Sequence, residues 1–273
     1  MPVISGNGTR IHYQESGKGY PLVLAHGRGG NYLSWWQQVP EFSRRYRCIT
    51  FDHRGWGLSA DDNDLGPKAF PDDLRVLLDE LEIESAFLLG HSMGGMTCLR
   101  FAIEHPERVS AMVFANTFAG MRREVWLASD EDTQAEVRVV WERRREEGVR
   151  RVLRPEFRKN QREKAFLYKQ IRMLNENGPN NGNSDDQILR IRALERDPEA
   201  SASKEQLDQL TMPVLFIGGE HDEVMPVSLM AFAQRLLPDA RSVVMPDTDH
   251  SAFFEQPEEF NRIVLEFLEG VPE

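Results

Sequence analysis

Residues 90–94 read Gly-His-Ser-Met-Gly, a serine set between two glycines. Glycine on both flanks lets neighbouring backbone approach without a Cβ clash, so the serine can sit on a tight, strained turn with Oγ exposed. Such a serine attacks a carbonyl carbon when a nearby base takes its proton. The five-residue pattern alone arises by chance in many chains of this length, so its surroundings carry the argument. The apolar residues 87–89 run straight into it, and Met96, Leu99 and Ile103 follow at helical spacing. A strand entering and a helix leaving would lift Oγ above the end of a sheet. The positive end of the helix would then lie beneath developing negative charge. Seven histidines could act as the base: His12, His26, His53, His91, His105, His221 and His250.

A serine so placed needs a sheet with helices on both faces, and the chain supplies the elements for one. Val3-Ile4-Ser5 and Arg10-Ile11-His12-Tyr13 flank Gly6-Asn7-Gly8, the pattern of a short hairpin. Pro21-Leu22-Val23-Leu24-Ala25 is apolar at successive positions, so both faces of this strand are covered. Further strands are expected at 47–51, 86–89, 109–114, 213–217 and 241–245. Helices are expected at 34–42, 71–81, from about 93 to His105, at 228–237 and at 257–268. In 71–81, Leu74, Leu77, Leu78 and Leu81 make one apolar stripe. The alternation predicts a doubly wound α/β fold: a mostly parallel, eight-stranded sheet with helices on both faces. It breaks between 117 and 210, which are charged and helical in pattern. Within that stretch, residues 175–186 are nearly devoid of apolar side chains and read as a loop or hinge. The expected organisation is a core of residues 1–116 and 211–273, interrupted by a helical insertion at 117–210. No internal repeat is visible.

Composition narrows the function classes. A chain of 273 residues can form one large domain carrying an insertion, and a charged fraction of 28% suits a soluble globular protein. The net charge of −11 argues against nucleic acid or an anionic membrane as the main partner, since both require clustered positive charge. Cys48 and Cys98, each within an apolar run, are expected to be buried thiols in a reducing compartment. Neither a secretory leader nor an apolar run near the ~18 residues of a membrane span is visible, so a cytoplasmic location is expected. The histidines and cysteines show no metal-ligand spacing, and no metal or cofactor is expected.

Taken together, His26-Gly27, residues 52–59 (Asp-His-Arg-Gly-Trp-Gly-Leu-Ser), residues 90–94, Gly219-Glu220-His221-Asp222 and Asp249-His250 resemble the motifs of the α/β-hydrolase family. The likeness spans essentially the whole chain. It is strongest to the small, cap-bearing esterases, enol-lactonases and carbon–carbon bond hydrolases. The resemblance implies the chain order serine, acid, histidine. Five histidines lie before Ser92 or end the helix after it, and His221 is crowded by acids at 220, 222 and 223. His250, in a polar loop after the last strand, is therefore the expected base. The family's glycine turn, aspartate and following proline fall on Asp222 rather than Glu220 or Glu223. Some relatives carry the acid after the preceding strand, but that strand ends here in Asn116, which has no carboxylate.

The resemblance also implies an oxyanion hole from the backbone N–H groups of Met93 and Arg28. Arginine at 28 departs from the family, which often has an apolar or aromatic residue there. Its side chain is expected to pair with a nearby acid more readily than with a substrate carboxylate. His26 is expected to be structural, and Asp52-His53-Arg54-Gly55 to brace a loop. The insertion carries 19 Lys+Arg against 18 Asp+Glu, whereas the remainder carries 14 against 26. Arg143-Arg144-Arg145 and Arg150-Arg151 read as a solvated helical face paired with Glu142, Glu146 and Glu147. By resemblance the insertion is a cap whose apolar underside lines the substrate pocket, with Trp141 and Phe166 as candidate lining residues. The expected activity is hydrolysis of a small carboxylic ester or lactone through an acyl-enzyme on Ser92. Carbon–carbon bond hydrolysis is the runner-up, ahead of perhydrolase or haloperoxidase-like activity and of a ligand receptor with a slow hydrolase site.

Overall fold

The computed structural model describes residues 2–122, 125, 128, 130–147, 152–177, 180, 182, 184–194 and 197–272. Eight strands form one sheet: β1 (Val3–Gly6), β2 (Thr9–Ser16), β3 (Pro21–Ala25), β4 (Arg47–Phe51), β5 (Ala86–His91), β6 (Val109–Ala115), β7 (Val214–Gly219) and β8 (Ala240–Met245). Their order is β1-β2-β4-β3-β5-β6-β7-β8. The pairs β1–β2 and β2–β4 are antiparallel, and β4 through β8 pair in parallel.

Side chains of the central strands point alternately to opposite faces, and each face has its own apolar cluster. Val23, Leu88, Phe114 and Phe216 enter one. Leu22, Leu24, Phe87, Leu89, Val113 and Leu215 enter the other. Strands covered on both sides must be apolar throughout, which is why they read as unbroken hydrophobic runs. The first face is covered by α2 (Phe70–Glu80) and α3 (Met93–Glu104), joined by a later helix of residues 227–235. The stripe of Leu74, Leu77 and Leu78 lies in this cluster as the spacing predicts. The second face is covered by α1 (Val39–Phe42) and by a closing helix at Pro257–Leu268. The expected helix at 34–42 is shorter: a 3-10 turn at Tyr32–Trp35 precedes α1.

Between β6 and β7 the described residues form α4 (Glu131–Glu147), α5 (Pro155–Asn160), α6 (Arg162–Asn177), α7 (Asp185–Leu194) and α8 (Lys204–Asp208). One parallel bridge, Met121 to Ala202, ties the two ends of this stretch together. The expected loop at 175–186 is shorter than its composition suggests. Helix α6 continues through Asn177, and Asn175 is fully buried. After β7 come α9 (Val227–Arg235), then β8, α10 (Ala252–Glu255) and α11 (Pro257–Leu268). The chain turns to opposite sides of β3 to make β4 and β5. The strand order therefore reverses at β3, and in open α/β sheets ligands bind beyond the carboxyl ends of the strands at such a reversal.

Candidate active site

Ser92 follows β5 and starts α3. Its backbone is held at φ 49°, in the left-handed region that a serine enters at a cost. Two bonds maintain it: Ser92 N–H donates to the Ala115 carbonyl at 3.0 Å, and Thr117 Oγ1 donates to the Ser92 carbonyl at 2.7 Å. The flanking glycines are required by close packing. A Cβ on Gly90 would stand 2.6 Å from the Gly94 carbonyl oxygen, and one on Gly94 would run into the Ala25 carbonyl. Met93 N–H belongs to the first turn of α3, where an amide has no intrahelical acceptor.

His250 Nε2 lies 3.1 Å from Ser92 Oγ, and His250 Nδ1 lies 2.9 Å from Asp222 Oδ2 and 3.1 Å from Oδ1. All three residues come from carboxyl ends of strands: Ser92 after β5, Asp222 after β7, His250 after β8. A carboxylate can only accept here, so Nδ1 carries the imidazole proton and Nε2 presents its lone pair to Ser92. Asp222 Oδ1 also accepts the N–H groups of Val224 and Met225, both at 2.8 Å. His250 is 6% exposed and Asp222 5%, so these bonds form largely out of water. Glu220, the rival acid, instead accepts the Asp247 N–H at 3.0 Å with its side chain half exposed.

The loop leaving β3 passes directly over the serine. A Cβ on Gly27 would stand 3.2 Å from Ser92 Cβ and 2.5 Å from His91 Nδ1. His26 holds this loop from below. Its Nδ1 donates to the Gly27 carbonyl at 2.8 Å, which leaves Nε2 to accept the His53 N–H at 3.0 Å. Burial lowers the pKa of His26 and holds that of His53 well below the usual histidine range, so both rings stay neutral. Asp52 braces the same region, accepting Tyr32 N–H at 2.7 Å and Leu58 N–H at 2.9 Å. The Arg28 carbonyl accepts from Trp56 Nε1 at 2.7 Å.

The three side chains thus stand in a hydrogen-bonded row from Ser92 Oγ through the His250 ring to the Asp222 carboxylate. A sequence profile described as the alpha/beta hydrolase fold matches residues 20–257. The chain belongs to the alpha/beta hydrolase family. Among its relatives is the pimeloyl-[acyl-carrier protein] methyl ester esterase of Aliivibrio salmonicida, 28% identical over 96% of this chain and 97% of that protein. Est816, described as an N-acyl homoserine lactone degrading enzyme, superposes with TM-score 0.74 at 25% identity, covering 97% of this chain and all of that one (100%). A thermophilic esterase from Thermogutta terrifontis gives TM-score 0.74 at 26% identity, covering 98% and 96%.

Several side chains of this alpha/beta hydrolase site carry no local signal in the sequence. Asn116, at the end of β6, donates from Nδ2 to Asp222 Oδ2 at 2.9 Å and to the Asp249 carbonyl at 3.2 Å, tying the acid to the histidine loop. His91 Nε2 donates to the His250 carbonyl at 2.9 Å. Burial, then the neighbouring His250, pushes the His91 pKa down to about 3, so it acts as a neutral donor. Glu255 supports the same loop, accepting Asp249 N–H at 3.1 Å and Arg154 N–H at 3.3 Å. Burial pushes its carboxyl up to about 7.

From α6, Tyr168, Ile171 and Asn175 share the face turned toward the site. Tyr168 Oη lies 2.8 Å from Ser251 Oγ, beside the histidine. Phe166 falls on the opposite face of α6 and is 64% exposed. Expecting it to line a pocket is thus corrected: two residues from Tyr168 on a helix is a rotation of roughly 200°. The side chains of Trp141 and of Arg143, Arg144 and Arg145, and the whole of Arg150 and Arg151, lie outside the described residues. The fold also gathers Glu220, His221 and Asp247, whose ligand-type atoms lie within 4.8 Å of one another at the surface. No sequence spacing signalled this group. Asp247 within it pairs with Arg154 Nη1 at 2.5 Å.

Proposed function

We propose that the protein hydrolyses a small carboxylic ester or lactone through an acyl-enzyme on Ser92. The observation that carries this reading is the unbroken line from Ser92 Oγ through His250 to the buried Asp222 carboxylate. His250 Nε2 takes the serine proton as Oγ attacks the carbonyl carbon, and Asp222 stabilises the imidazolium that forms. The N–H groups of Met93 and Arg28 receive the negative oxygen of the tetrahedral intermediate. His250 then returns the proton to the leaving alkoxide, and next activates the water that frees the acid. The relatives support this substrate class, since two are named as esterases and one as degrading an N-acyl homoserine lactone.

The segment 117–210 serves as a cap over this machinery, with residues 1–116 and 211–273 as the core. Support comes from Tyr168 and Ile171 of α6 lying against the histidine loop and the loop after β3. The test is a panel of p-nitrophenyl esters, lactones and a vinylogous keto acid, run with wild type and Ser92→Ala. Turnover of short esters or lactones that vanishes in Ser92→Ala, with a single fluorophosphonate label on the wild type, is the expected result. Labelling or turnover that survives the substitution overturns the assignment, and preferred turnover of the keto acid moves it to carbon–carbon bond cleavage.

A further inference from the structure

We propose that Asn175, within the insertion, is a positioning residue for the oxyanion loop, so that the insertion supplies part of the catalytic geometry. The proposal rests on the reading of Arg28 N–H as an oxyanion donor. Asn175 is fully buried, at 0% exposure, although α6 is otherwise largely solvated. Its Nδ2 donates to the Gly30 carbonyl at 2.7 Å and to the Gly29 carbonyl at 3.2 Å, and its Oδ1 accepts Gly57 N–H at 3.1 Å. One amide side chain thus holds two consecutive carbonyls of the loop over Ser92 and joins them to the 52–59 turn. One helical turn earlier, the Ile171 carbonyl accepts from Asn31 Nδ2 at 2.7 Å, so α6 grips the same loop twice.

The link to the oxyanion donor runs through a rigid unit. Gly27 C=O and Arg28 N–H belong to one planar trans peptide and point in opposite directions. The Gly27 carbonyl accepts Gly30 N–H at 2.8 Å, so the position of Gly30 sets the tilt of the plane that aims Arg28 N–H. Asn175 fixes Gly30 through its carbonyl. Removing the Asn175 donor leaves Gly29 and Gly30 without this anchor and lets the plane rock. An oxyanion donor works by being held in place before charge develops, so a rocking donor weakens the transition state more than the bound substrate.

Asn175→Asp keeps the shape and the acceptor for Gly57 N–H but sets a carboxylate oxygen against both loop carbonyls. Asn175→Ser shortens the side chain without adding charge, and serves if the aspartate variant folds poorly. Each is assayed with p-nitrophenyl acetate, and kcat is expressed per Ser92 titrated by a fluorophosphonate, so that an unfolded fraction does not enter the rate. The expected result is a fall in kcat of about 10- to 100-fold with KM nearly unchanged, below the loss from deleting a donor outright. The Ki of a trifluoromethyl ketone, whose adduct places an oxyanion in the same hole, should rise in step with the loss in kcat/KM. Leu207→Ala, a truncation in the apolar cluster on the α2 and α3 side of the sheet, is the stability control and should lower Tm while leaving kcat per site intact. Asn175 variants that behave like this control, with lowered Tm and wild-type kcat and Ki, overturn the proposal. Turnover that persists in a parallel Ser92→Ala sample sinks the acyl-enzyme reading instead, and the two failures are distinguishable.

Discussion

At the scale of single residues, the site depends on which atom of each group carries a proton. Asp222 is surrounded by donors: two backbone N–H groups on Oδ1, and Asn116 Nδ2 and the imidazole on Oδ2. In Asp222→Asn an amide N–H would face His250 Nδ1, favour the tautomer protonated on Nε2, and remove the lone pair aimed at Ser92. A fall in kcat of about 10³- to 10⁴-fold is expected, as for the same change in a serine-protease triad. Glu220→Gln should cost far less, because Glu220 contacts Asp247 N–H and no part of the imidazole. Steady-state kinetics on the two variants checks this, and reversed losses would place the acid two residues earlier.

Elements set how loops bearing these groups respond to pH and substitution. The short helix α10 places Glu255 beneath Asp249 N–H, where burial raises its carboxyl to about 7. The unfolded chain ionises this group near the ordinary glutamate value of about 4.3. A raised carboxyl pKa leaves stability untouched below that value and removes stability as pH rises toward 7. Glu255→Gln should therefore gain on wild type across this window, by about 1–3 kcal/mol once its partial exposure is discounted. Urea melts at pH 4.5 and pH 8 test the sign, and a constant difference between variant and wild type would contradict it. On α6 the two faces should answer differently. Phe166→Ala removes a largely exposed ring and should change stability by about 0.5 kcal/mol or less, with a flat ester-preference profile. Tyr168→Phe removes the hydroxyl contact to Ser251 and should cost about 0.5–1.5 kcal/mol in thermal melts.

At the scale of the whole molecule, a buried polar hub ties distant segments together. Arg54, fully buried at 0% exposure, bonds both Asp73 oxygens of α2 at 2.5 and 2.6 Å. It also reaches Asn63 Oδ1 at 2.7 Å and the Asn7 carbonyl of the β1–β2 turn at 3.1 Å. The motif Asp52-His53-Arg54-Gly55 is thereby a brace between the N-terminal hairpin, α2 and the loop over the serine. In Arg54→Met the Asp73 carboxylate would stay buried without its counter-charge. A loss of about 3–5 kcal/mol in urea unfolding is expected, with kcat per titrated Ser92 nearly preserved in the folded fraction.

The sequence by itself determined the parts governed by short periods. Alternating burial made the central strands unbroken apolar runs, and the leucines of α2 and the run into residues 90–94 announced themselves at spacings of a few residues. Ser92 is legible in a motif a few residues long, whereas Asp222 and His250 are expected through the family resemblance, and the fold sets the three side chains within hydrogen-bonding distance. The tertiary structure alone decided which other side chains meet them. Asn116 reaches Asp222 across 106 residues, His91 reaches the His250 carbonyl across 159, and Asn175 reaches Gly30 across 145. None of these has a local signature, since a polar side chain looks the same in sequence whether water or a distant carbonyl satisfies it. The same ambiguity makes residues 175–186 read as a loop, while Phe166 is expected in the pocket through the family resemblance, with nothing local to fix the face of α6 it takes. Composition reports how polar a segment is, whereas the partners that make a buried amide stable, and the face a ring must take, are set by how the strand ends and α6 come together.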